Sequence, residues 1–116
     1  MNVENVKSQM RKGMLEYCIM LLLHREAAYA SDIITKLKEA RLIVVEGTLY
    51  PLLTRLKNDE LLSSEWVESN QGPPRKYYRL TEKGEAFLNE LKHARQELND
   101  TVSHLTDTTA TNTTPA

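Results

Sequence analysis

The stretch GTLYPLLTRLKND, residues 47–59, narrows the possible folds more than any other. Leu49, Leu52, Leu53 and Leu56 stand at i, i+3, i+4 and i+7, a spacing that gathers them on one face of a helix. On a helical wheel the opposite face carries Pro51, Thr54 and Asn58, flanked by Tyr50 and Arg55. Proline is tolerated where its missing N–H is not needed, so this helix is expected to start between Glu46 and Thr48, with Thr48 a candidate cap. One face is made for burial. The other is polar with little charge, whereas a merely solvated face carries more Lys and Glu.

Two β-prone runs follow. LLSSEWVES and RKYYRL alternate side chains, and the SNQGPP between them reads as a rigid turn, so the pair forms a hairpin. Tyr78 and Leu80 point to the core, with Tyr77 covering cationic stems. Upstream, residues 5–24 read as a helix with a face of Val6, Met10, Met14, Cys18, Leu21 and Leu22. A second helix opens at Ser31, where a serine cap and Asp32 suit the helix dipole, and it ends near Arg41. Residues 42–45 read as a short extended piece.

Thr81 caps a last helix expected over residues 82–105. Gly84, Leu91, Leu98 and Leu105 recur every seven residues, with Phe87, Ala94 and Thr101 offset by three. A helix of roughly 36 Å outruns a small domain, so this seam is expected to meet its copy in a second subunit. The closing TDTTATNTTPA reads as a disordered tail. The expected division is therefore 1–81, a winged helix-turn-helix DNA-binding domain; 82–105, a dimerisation helix; and 106–116, the tail. The fold class is mainly α (α+β). In such a fold the third helix enters a major groove and the hairpin tip reaches neighbouring phosphates.

Charge supports a working end. The net charge is −1, yet residues 71–83 hold four cations against Glu82 alone, while residues 84–116 hold two cations against five acids. An enzyme finds no support, because no nucleophile lies near a base and no Gly-rich phosphate loop is present. His24, His93 and His104 are too far apart for metal spacing, so no metal and no cofactor are assigned. The single Cys18 sits in an apolar run too short to span a bilayer, and it reads as a small core residue. A reduced, cytoplasmic protein with no membrane partner is expected.

GTLYPLLTRLKNDELL followed by PRKYYRLTEKGEAFL resembles the PadR family of bacterial transcriptional regulators, and YASDIITKL is similar to the family's second helix. The likeness covers residues 15–91, and the single C-terminal helix is similar to the short-tailed members, which include multidrug-responsive repressors. It implies a homodimeric repressor bound to double-stranded operator DNA. Thr48, Tyr50, Pro51, Thr54 and Arg55 then fall on the recognition helix, and Arg75 and Lys76 on the wing. Phe87, Leu91, Ala94, Leu98 and Leu105 would form the dimer seam. Trp66 reads either as wing-to-helix packing or as the wall of a site for a small apolar or phenolic effector. Two positions depart from the family pattern: Glu60 stands where many members carry glycine, and Gly72-Pro73-Pro74 replaces a glycine-rich wing tip. A rival reading is a winged-helix module whose basic wing meets an acidic protein.

Overall fold

The computed structural model describes residues 1–112, with side-chain environments through residue 107. The elements run α1 (Val3–Arg25), β1 (Ala28–Tyr29), α2 (Ala30–Glu39), α3 (Glu46–Asn58), β2 (Leu62–Ser69), β3 (Gly72–Leu80) and α4 (Glu82–Asn112). This is a mainly helical α+β winged helix-turn-helix with an added C-terminal helix. The three strands are antiparallel in the order β1-β3-β2.

The core forms where the four helices meet the base of the wing. Ile19, Met20, Ile33, Leu49, Leu53, Leu56, Leu62 and Leu88 are essentially sealed from water. The leucine face of α3 is buried as the spacing predicts, although Leu52 lies at its margin, half-buried. The face of α1 is shifted from the expected one. Leu15, Ile19, Met20 and Leu23 are buried, whereas Val6 and Met10 are exposed and Met14, Cys18, Leu21 and Leu22 are half-buried. Periodicity misled here because the second half of α1 is apolar all round. Which stripe turns inward is then set by the elements packed against it.

Several boundaries also differ. α2 begins one residue early, and Asp32 in its first turn accepts the Tyr29 N–H at 3.2 Å, so Ser31 is not the cap. Val45 precedes α3 without a side-chain cap, which makes Thr48 the third helical residue and moves Pro51 into the second turn. The carbonyl left without a partner there is that of Gly47, which is exposed to water. Residues 42–45 form no strand; Val44 is buried between exposed Ile43 and Val45. The wing turn is Asn70-Gln71, and Gly72-Pro73-Pro74 belongs to β3. Val67 pairs with Arg75 and Ser69 with Gly72, so the two prolines face Glu68 alone, a bulge in which their lack of N–H donors does little harm.

α2 and α3 end alike. Arg41 and Glu60 adopt φ values of 66° and 64°, while the Leu42 and Leu61 N–H groups reach back to the Leu37 and Leu56 carbonyls at 2.7 and 2.9 Å. Glu60 thus occupies the left-handed conformation that glycine takes at no steric cost. α4 continues seven residues past Leu105, so the first part of the expected tail is helical, and residues 113–116 lie outside the described residues. Its first turn is locked to the α3–β2 turn. Thr81 Oγ1 accepts the Gly84 N–H at 2.9 Å and is directed at the Glu60 and Leu61 carbonyls. Gly84, read from the heptad as a seam residue, is buried against Leu61 instead.

Candidate nucleic-acid interface

Pairing of β1 with β3 sets Tyr29 opposite Tyr77 and so carries the start of α2 alongside the wing. The result is a cavity of about 360 Å³ whose walls come from three places. Tyr29, Ala30 and Ser31 contribute from the β1–α2 junction, Tyr50 and Thr54 from α3, and Trp66, Pro74, Arg75, Lys76 and Tyr78 from the wing. No carboxylate lines it. Four of the seven residues assigned from sequence to DNA binding, Tyr50, Thr54, Arg75 and Lys76, therefore meet at one place, together with Trp66.

The wing cations are held rather than waving. Arg75 lies over the Tyr29 ring at 3.9 Å and donates to Ser31 Oγ at 2.5 Å. Lys76 sits 5.2 Å from the Trp66 ring and Arg79 5.6 Å from that of Tyr77, which itself meets Tyr29 edge-on at 4.9 Å. Such cation–π contacts contribute about 0.5–1 kcal/mol each at exposed sites, enough to bias rotamers before a ligand arrives. Burial, with Tyr50 adding to it, pushes the Tyr78 phenol above its ordinary range, so it stays neutral beneath the cations.

The other predicted residues lie elsewhere. Pro51 and Arg55 join Tyr50, Thr54 and Asn58 around a shallow depression on α3. Arg55 turns toward α1, where its guanidinium is bonded to the Glu16 carboxylate. Thr48 is exposed and lines a different hollow with Arg11, Lys12, Ile43 and Val45. Trp66 is 66% exposed on β2, so it is not wing-to-helix packing. Tyr29 and Ser31 were missed. Their contact with Arg75 spans some 44 residues of sequence, and a two-residue strand carries no alternation from which to foresee it.

The seam residues divide. Leu91 is half-buried against the domain's own core, Phe87 is 40% exposed, Ala94 is exposed, and Leu98, Val102 and Leu105 are all more than half exposed. Leu88, outside the predicted set, is almost completely buried.

Residues 19–90 match the family described as the transcriptional regulator PadR-like family. The chain belongs to the PadR-like family. Among solved structures, a PadR-like transcription factor from Bacteroides fragilis is 82% identical, with a TM-score of 0.76 over 87% of this chain and 98% of its own. A PadR family transcriptional regulator from Eggerthella lenta is 35% identical, with a TM-score of 0.81 over 91% and 93% of the two chains. An uncharacterized protein from Lysinibacillus sphaericus is 32% identical over 74% of this chain and 82% of its own length. PadR-like proteins are DNA-binding transcriptional regulators, not enzymes, and this chain is a regulator of that kind. Among the described residues no helix is long and apolar enough to cross a membrane, and no cluster of three or more His, Cys, Asp or Glu could hold a metal.

Proposed function

We propose that the protein is a homodimeric, cytoplasmic repressor that holds a palindromic operator between two copies of the α3 and wing surface. The observation carrying this reading is the acid-free cavity that joins Tyr50 and Thr54 of α3 to Arg75 and Lys76 of the wing. A major groove accepts the polar face of α3, while Arg75 and Lys76, oriented by Tyr29, Ser31 and Trp66, meet the flanking phosphates. Thr48, Pro51 and Arg55 extend the contact along α3. The exposed Phe87, Leu98 and Leu105, with Leu91 and Ala94, form the dimer seam on α4, and pairing it sets the half-site spacing. A small apolar or phenolic effector releases the DNA by shifting that spacing.

The test combines selection of bound sequences from random DNA with salt titration. A symmetric pair of half-sites is expected. Each phosphate contacted steepens the dependence of log affinity on log salt by about 0.9, so Arg75→Ala with Lys76→Ala should flatten the slope by roughly 2 without changing sequence preference. An unaltered slope removes the wing from the mechanism. A chain that selects no DNA yet captures acidic proteins in a salt-dependent way instead supports the protein-binding module.

A further inference from the structure

The polar face of α3 has two edges. At about 100° per residue, Tyr50 and Thr54 lie toward one edge, Pro51 and Asn58 along the middle, and Thr48 and Arg55 toward the other, roughly 130° round from the first. The first edge borders the wing, since Tyr50 and Thr54 share a cavity with Arg75 and Lys76. The second borders α1. Arg55 is bonded there to Glu16, and Thr48 lines a hollow of about 230 Å³ with Ser8, Arg11 and Lys12. Buried Leu15 and Val44 floor this hollow, and Ile43 and Val45, exposed on the loop leading into α3, form the rest of its rim. No acid lines it. Arg11 and Lys12 are exposed and form no hydrogen bond or ion pair among the described residues. Glu16, one turn along α1 from Lys12, is already taken by Arg55. α3 thus runs between two pairs of cations, one on the wing and one on α1.

We infer that, within the proposed operator complex on which this assignment rests, Arg11 and Lys12 form a second phosphate clamp on the side of the major groove opposite the wing. A groove about 12 Å wide is walled by a sugar-phosphate backbone on each side, so a helix lying in it meets phosphates along both of its edges. The wing accounts for one wall. Arg11 and Lys12 account for the other, and together the two pairs hold α3 square between them. Contacts of this kind set position and orientation and carry no sequence information directly. The apolar rim fits the same occupant, because Ile43 and Val45 offer the adjoining deoxyribose a dry seat and the Thr48 hydroxyl is placed to donate to its phosphate. The acids of α4 in a second copy are the rival occupant, since residues 84–116 hold five acids against two cations. The position of the hollow, at the edge of the polar face of α3, favours DNA.

Arg11→Gln with Lys12→Gln, made in the full chain, is compared with the parent and with the Arg75→Ala, Lys76→Ala variant on the selected operator and on random duplex. The α1 pair should flatten the salt slope by roughly 2. Between about 50 and 200 mM salt it should therefore lose roughly tenfold less affinity than the parent, with the ratio of operator to random binding unchanged. Joining the two pairs should flatten the slope by roughly 4, because they lie on opposite edges of α3 and share no partner. Methylphosphonate substitution, which removes the charge of one phosphate at a time, maps the contacts on the unaltered protein. Two clusters of sensitive phosphates are expected in each half-site, one on each wall of the groove, and the α1 variant should erase one of them. An unaltered slope while the wing variant still flattens it, or a single cluster, overturns the clamp and leaves operator binding standing. If the parent binds no DNA, both fall. Circular dichroism checks the folding of the variants, and sedimentation their assembly. An α1 variant that sediments as a monomer, and recovers the parental slope at concentrations that restore the dimer, also overturns the clamp, since the cations would then serve a second copy.

Discussion

Replacing Gly84 by alanine opposes two effects of known size. In an ordinary helix interior the change stabilises by about 1 kcal/mol, because glycine loses more backbone entropy on folding. Here a Cβ would lie 2.2 Å from the Leu61 carbonyl oxygen and 2.8 Å from Leu80 Cδ1. The leucine can turn aside. The carbonyl cannot move freely, since it accepts the Thr81 N–H at 3.1 Å and is approached by the Thr81 hydroxyl at the same distance. Relief therefore requires the start of α4 to back away by about 1 Å, straining the Thr81 cap, whose full loss costs about 1 kcal/mol. Overpacking of this kind costs about 1–3 kcal/mol. The clash wins, with a net destabilisation of about 2 kcal/mol and a fall in Tm of roughly 6–12 °C. Thermal and urea unfolding followed by circular dichroism, at one fixed protein concentration, measures it. Gly13, where an added Cβ meets nothing within 4 Å, is the control, and Gly13→Ala should stabilise by up to about 1 kcal/mol. If Gly84→Ala is as stable as the parent while Gly13→Ala gains, the close approach of α4 to Leu61 does not constrain the fold.

Three further outcomes are expected. Glu60→Gly relieves the left-handed φ of 64° and should stabilise by about 0.5–1 kcal/mol, read as a higher urea midpoint; the exposed pair with Lys83 that it removes is worth little. Leu98→Glu, at a position 63% exposed, should yield monomers by sedimentation with an unchanged circular dichroism spectrum, and a persistent dimer would refute the seam. Burial pushes the Cys18 thiol above its ordinary range, outweighing the opposite pull of Arg95. The folded state therefore favours the protonated thiol, a contribution fully present below the unfolded value and lost as pH rises through the folded one. Cys18→Ala should lose less stability than the parent as pH climbs past the ordinary thiol range, and identical slopes would count against burial of the thiol.

Much of the candidate surface was legible because its signals are local. The four leucines of α3 determine which side of that helix is left for Thr54 and Tyr50, and Arg75 and Lys76 declare the wing by charge alone. Where the pattern saturates, legibility fails. The apolar second half of α1 offers several equivalent stripes, and the heptad of α4 cannot distinguish packing within the chain from packing between copies. Leu88 and Gly84 went to the first, while Leu98 and Val102 stay exposed.

The sequence by itself determined the order of the four helices and the hairpin, the buried face of α3 and the family, because each rests on spacings of a few residues; it did not show β1. Tertiary structure alone decided that Ser31 and Tyr29 hold Arg75 and that Arg55 turns to Glu16. It also decided that the prolines sit in a strand, and that α1, α2 and α4 leave a cationic cleft with an apolar floor. Apart from the prolines, which lie within one hairpin, those are contacts between residues far apart in the chain. They depend on how one surface lies on another, which no local pattern records.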